Sequence, residues 1–192
     1  MGLWDALRGQ SKPRRPNLDA LFSLPSAALT LEAGLGLHPT GVGAVCFRAA
    51  EGQASVLTQR EASDLVGVDG GPATESRVDE YGYTWLTVRA APEDTASLVT
   101  DLHAVNSALE AQGFGTGLLC STLGFRDDTL PSAGPVFLVY LYKLGTFYPF
   151  CPTGPTSRDT LKERQVRDAV EDDLPIEQDT SRWMPIWGIQ PG

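Results

Sequence analysis

A chain of 192 residues is long enough to fill one core and short for two, and 42% hydrophobic with 20% charged residues is an ordinary globular balance. The net charge of −9 argues against a phosphate backbone as the main partner, and no apolar run is long enough to cross a bilayer. Cys46, Cys120 and Cys151 are odd in number and widely spaced, which fits neither a disulfide framework nor a metal clip.

The charge is unevenly spread. Residues 1–16, "MGLWDALRGQSKPRRP", hold Arg8, Lys12, Arg14 and Arg15 against Asp5, a local charge of +3 that leaves −12 on the remainder. Leu3, Trp4 and Leu7 stand at helical spacing before the basic cluster. The expectation is a basic amphipathic tail whose apolar side chains enter a headgroup region while its cations meet anionic lipid, set against a terminus that simply docks or stays free. Residues 17–192 are expected to form one domain.

From Asn17, Leu18, Leu21 and Phe22 share a face, Pro25 interrupts, and Ala28, Leu29 and Leu31 resume a helix that Gly34 and Gly36 end. "TGVGAVCFRAAEGQASVLTQ" alternates on both sides of Glu51-Gly52, which predicts a hairpin of Val42–Arg48 with Ala54–Leu57. The polar "REASDLVGVDGGPATESRVDE" reads as a surface loop. "YGYTWLTVRA" is a strand with Tyr81, Tyr83 and Trp85 on one face.

After Pro92, Leu98, Leu102, Val105 and Leu109 recur at helical spacing up to Gly113, and this stripe is expected to face a sheet containing Val45, Phe47, Trp85, Leu119 and Val139. Two strands, "GLLCSTLGFR" and "VFLVYLYK", flank the turn-rich "DDTLPSAG". "GTFYPFCPTGP" then sets Phe147, Tyr148 and Phe150 among three prolines, an ordered loop that either seals the sheet or offers aromatic contact area to a partner. Phe150 is expected as the seal and Tyr148 as the exposed contact. "TSRDTLKERQVRDAVEDDLP" is a charged helix capped near Thr156 or Ser157, and Trp183 and Trp187 should fold back onto the body.

The order α-β-β-β-α-β-β-α lacks βαβ alternation. It predicts an α+β fold: a mixed, mainly antiparallel sheet of about five strands with helices packed on one face, an element order similar to that of type III secretion chaperones.

Chemistry is sparse. His103 and Ser107 stand at i, i+4 and admit a hydrolase reading, but no G-x-S-x-G elbow accompanies them. His38 precedes a proline in a turn, no close His/Cys pair would clip zinc, and "GVGAVC" and "GFGTG" are not nucleotide-binding fingerprints. No catalytic, cofactor-binding or metal-binding residue is assigned.

"MGLWDAL", "NLDALFSLPSAALTLEA", "TGVGAVCFRAAEG", "YGYTWLTVR", "LVTDLHAVNSALEAQGFG", "LVYLYKLGTFYPFCPTGP" and "SRWMPIWG" together resemble the PspAB family of PspA-associated proteins, from Met1 to Gly188. The resemblance implies association with the phage-shock system, in which PspA guards the inner face of a stressed membrane, and with a membrane metalloprotease of the HtpX type. The zinc-protease H-E-x-x-H motif is absent from this chain.

The expectation is therefore a non-catalytic cytoplasmic adaptor of the envelope-stress response, peripheral to the inner membrane face. Its expected partner is PspA or another phage-shock component, reached through Phe147, Tyr148 and Phe150, with Leu3, Trp4, Leu7, Arg8, Lys12, Arg14 and Arg15 as membrane contacts. A homodimer is a further candidate assembly, and the alternative functions are a chaperone-like, client-binding role and, less favoured, a hydrolase using His103 and Ser107. No nucleic acid and no cofactor are expected.

Overall fold

The computed structural model describes residues 16–48, 72–130, 132–187 and 189. Residues 1–15 of the basic tail and the second strand of the expected first hairpin, 54–57, lie outside these residues. A 3-10 turn, Leu18–Ser23, leads into α1, Leu24–Leu35. Pro25 sits in the first turn of α1, where a missing N–H costs nothing, so it starts the helix rather than interrupting it. The strands β1 (Leu37–Phe47), β2 (Glu75–Val78) and β3 (Thr84–Arg89) follow. Then come α2 (Thr95–Leu109), β4 (Leu118–Asp127), β5 (Val136–Leu141) and β6 (Thr146–Phe150). A small hairpin, β7 (Pro152–Gly154) with β8 (Ser157–Arg158), precedes α3 (Thr160–Val170).

The fold is α+β as expected, with a six-stranded antiparallel sheet in the order β2-β3-β1-β4-β5-β6 rather than one of about five strands. Both edges of Val42–Phe47 are taken, by β3 and β4, so the expected local hairpin is replaced there by long-range pairing. Two strands of this sheet went unread, as did the small β7–β8 hairpin. β2 lies in the polar stretch taken for a loop, and β6 is the aromatic segment itself.

Pro149 has no N–H to give a ladder, yet β6 accommodates it. Phe147 bonds outward, its N–H to the Pro175 carbonyl and its carbonyl to the Glu177 N–H, so by alternation Pro149 also faces outward and no β5 bond is lost. The Pro175–Glu177 segment runs along this outer edge, with Ile176 bridging Phe147 in parallel, and closes that end of the sheet.

The two faces are covered differently. Val45, Phe47, Leu86, Val88, Leu123, Leu138, Tyr140 and Phe147 point to the helices, where Leu98, Leu102, Val105 and Leu109 are fully buried. Helix α2 lies so close to β1 that a Cβ added at Gly43 would stand 3.0 Å from Leu102 Cδ1. Trp85 and Val139 are one residue out of phase with these positions, so they face away from α2, contrary to the expectation that they line its bed.

On the far face, Tyr148 and Phe150 are covered by Trp183 and Trp187, which do fold back. The helix expected to begin at Thr156 or Ser157 begins at Thr160, capped by Asp159, because the preceding residues are spent on the β7–β8 hairpin. No helix among the described residues is long and apolar enough to cross a membrane.

Candidate functional site

Each aromatic residue expected to form a loop stands inside β6, and all three are buried. Phe147 packs on Tyr140 on the helix side, with ring centroids 5.1 Å apart. Tyr148, 1% exposed, stacks on Trp183 at 6.1 Å and donates its hydroxyl to the Met184 carbonyl at 2.8 Å. Its role as an exposed contact is therefore corrected: the hydroxyl is satisfied by backbone, not by water. Phe150 meets Trp187 edge-on at 5.3 Å and carries the Arg158 guanidinium 5.0 Å above its ring. These side chains hold the sheet and offer no free surface to a partner.

His103 meets the 3-10 turn that precedes α1. Its ring lies 5.0 Å from that of Phe22, and its Nε2 is 3.6 Å from Asp19 Oδ1. Among the described residues, no three His, Cys, Asp or Glu side chains form a group that could hold a metal ion.

Behind the aromatic patch lies a buried ionic knot. Glu163, 2% exposed, accepts from Arg158 Nε at 2.7 Å and from the Cys151 N–H at 2.9 Å. Arg158 Nη1 donates to the Trp183 carbonyl at 2.8 Å. One guanidinium thus ties β8, α3 and the C-terminal segment together. Outside it is a cleft of about 250 Å³ that also gathers Arg164, Arg167 and Thr180, a local cluster of cations on an acidic chain.

The larger opening is a groove of about 490 Å³ between the β4–β5 turn and the β7–β8 hairpin. One wall is fixed by Asp127, whose carboxylate accepts from the Thr129 hydroxyl and N–H and the Leu130 N–H; the Thr129 bonds hold it below the usual carboxylate range. The opposite wall carries Asp159 at the cap of α3, followed by Lys162. Val136, Pro152, Trp187 and Ile189 supply apolar lining, and Leu130 stands 58% exposed at the rim.

Cys151 also lines the groove, but burial, and next the Glu163 charge, push its thiol up to about 12. At neutral pH it is protonated and unreactive. The groove combines an apolar floor with charges of both signs at the rim, the mix of surfaces from which ligand sites are built.

One juxtaposition was invisible in the sequence. Cys46 and Cys120 stand directly opposite each other in the β1–β4 ladder, both buried. Their mutual hydrogen bond, and then burial, raise the Cys46 thiol far above its ordinary value. Only the register pairs them, since 73 intervening residues hide the contact.

The fold and groove define an α+β module with an open cleft beside its sheet. The family described as PspAB, PspA associated protein B, matches residues 1–192, and the chain belongs to that family. No curated protein and no solved structure matches it. The likeness to secretion chaperones therefore rests on element order alone.

Proposed function

We propose that this chain is a non-catalytic adaptor of the PspA-centred envelope-stress response, binding PspA or another phage-shock component near the cytoplasmic face of the membrane. The observation that carries the reading is the family match over residues 1–192. Its non-catalytic side is supported by the engagement of His103 with Asp19 and Phe22 and by the protonated, buried Cys151. The partner surface is moved from the buried β6 aromatics to the groove rimmed by Leu130 and Lys162.

Capture of purified PspA by the full chain tests this. Leu130→Asp and Lys162→Glu change the rim without opening the core, so both variants should melt like the parent while losing capture by about tenfold or more. Undiminished capture by both would remove the groove from the reading, and no capture by the parent would remove PspA as the direct partner. Equal retention of unrelated unfolded proteins would favour the chaperone-like alternative.

The tail is tested separately. Full-length protein should sediment with anionic vesicles at low salt and be released by Trp4→Ala with Leu7→Ala. Equal sedimentation of parent and variant would remove the membrane contact.

A further inference from the structure

Helix α3 carries two stripes. Glu163, Val166 and Val170 are buried against the body, and beside them Thr160, Arg164 and Arg167 recur at i, i+4 and i+7, so their side chains leave one flank of the helix. Together with Arg158 and Thr180, that flank lines the cleft of about 250 Å³.

Its charge is opposite to that of the chain. Three guanidinium groups and one carboxylate line the cleft, on a protein with 24 acidic and 15 basic residues. The carboxylate is Glu163, already neutralised by Arg158 at 2.7 Å. Two further acids close in sequence are engaged as well: Asp168 pairs with its neighbour Arg167, and Asp179 accepts from Ser181 and lies 3.4 Å from Arg182. The Asp168 pair is half-exposed and of a kind that holds weakly, so Arg167 can turn to a ligand. Arg164 is the surplus cation, exposed and without an ion pair or hydrogen bond among the described residues.

Arg158 supplies a second observation. Its Nε and Nη1 are taken by Glu163 and the Trp183 carbonyl, but its Nη2 is buried without a hydrogen-bond partner. Buried donors ordinarily have acceptors, and an anion in the cleft that Arg158 lines brings one near.

We infer that this cleft binds a phosphate group, held by the guanidinium forks of Arg164 and Arg167 and the hydroxyls of Thr160 and Thr180. A phosphate turns acceptor oxygens in several directions, which suits donors on both walls better than the single plane of a carboxylate. The N-terminus of α3 is not the source of attraction, because Asp159 already accepts its Leu161 and Lys162 N–H groups. Sites for whole small molecules run to about 300–1,000 Å³, so the cleft takes a phosphate head rather than a complete nucleotide. It shares no lining residue with the groove assigned to the protein partner and does not rest on that assignment.

The phosphate can be carried in solution or on a lipid headgroup, and the test separates the two. Calorimetric titration of the full chain uses inorganic phosphate and glycerol 3-phosphate, and sedimentation uses phosphatidylcholine vesicles with and without phosphatidic acid. The parent should take up one phosphate per chain from a soluble probe or from the vesicles. Arg164→Gln and Arg167→Gln should each weaken this by about tenfold or more while melting like the parent, since neither side chain is buried. Arg89→Gln, on β3 and four strands from β6, removes a remote cation and should bind like the parent.

Vesicle sedimentation that glycerol 3-phosphate displaces and Arg164→Gln abolishes assigns the site to a lipid headgroup. Soluble binding with no phosphatidic acid dependence that Arg164→Gln removes assigns it to a free phosphate. Uptake indifferent to Arg164→Gln and Arg167→Gln, a loss in Arg89→Gln equal to theirs, or no uptake from any probe would each overturn the proposal.

Discussion

Glu163 shows how one side chain can serve three segments at once. Its carboxylate neutralises Arg158, accepts the Cys151 N–H and sits 2% exposed inside the corner made by β8, α3 and the C-terminal turn. Glu163→Gln keeps an acceptor but leaves the guanidinium unneutralised, and should cost about 3–5 kcal/mol by urea denaturation. Joint replacement, Arg158→Met with Glu163→Leu, should recover much of the loss, since an apolar pair has no charge to desolvate. Tyr148 is the second residue whose part is set by what it touches. Tyr148→Phe preserves the stack on Trp183 but leaves the Met184 carbonyl without its donor, a loss of about 1–3 kcal/mol in the same experiment. From sequence the hydroxyl had looked like a reason for exposure; in the fold it is what allows a tyrosine to be buried.

At the scale of elements, legibility follows the range of the interaction that forms each one. The α2 stripe of Leu98, Leu102, Val105 and Leu109 was readable because an amphipathic helix carries its signal within a few turns. β2 was not, since an edge strand with little to bury has no apolar alternation. β6 was masked by Pro149, whose compatibility depends on which way its ladder faces, a property fixed by Pro175–Glu177 some distance along the chain. The packing of α1 against the end of α3 is equally non-local. Ser26 and Thr30 donate to Asp173 at 2.6 and 2.7 Å, and these bonds lower its carboxyl from 3.8. A depressed folded-state value means the contribution is fully present above the unfolded value and is lost as pH falls through the folded one. Asp173→Asn should therefore reduce stability near neutrality by about 1 kcal/mol and flatten the acid limb of a stability–pH curve, measured by thermal melts between neutral and strongly acidic buffers. An unchanged acid limb would show that the α1–α3 link contributes nothing to acid lability.

For the whole molecule, the candidate groove was the least legible feature. Its lining comes from the β4–β5 turn, the β7–β8 hairpin, α3 and the C-terminal segment, and no single stretch carries its pattern. Composition and periodicity gave the class of fold, while the walls of the groove depend on how Trp187 and Ile189 return across the sheet. The strip at Pro175–Glu177 has a further consequence for crowded conditions. A sheet with two bare ends can add neighbours without limit, as fibres do, whereas a sheet with one end sealed has a valence of one. Because the β6 end can add no strand, growth through both edges is closed to this sheet, and its own architecture does not seed a polymer.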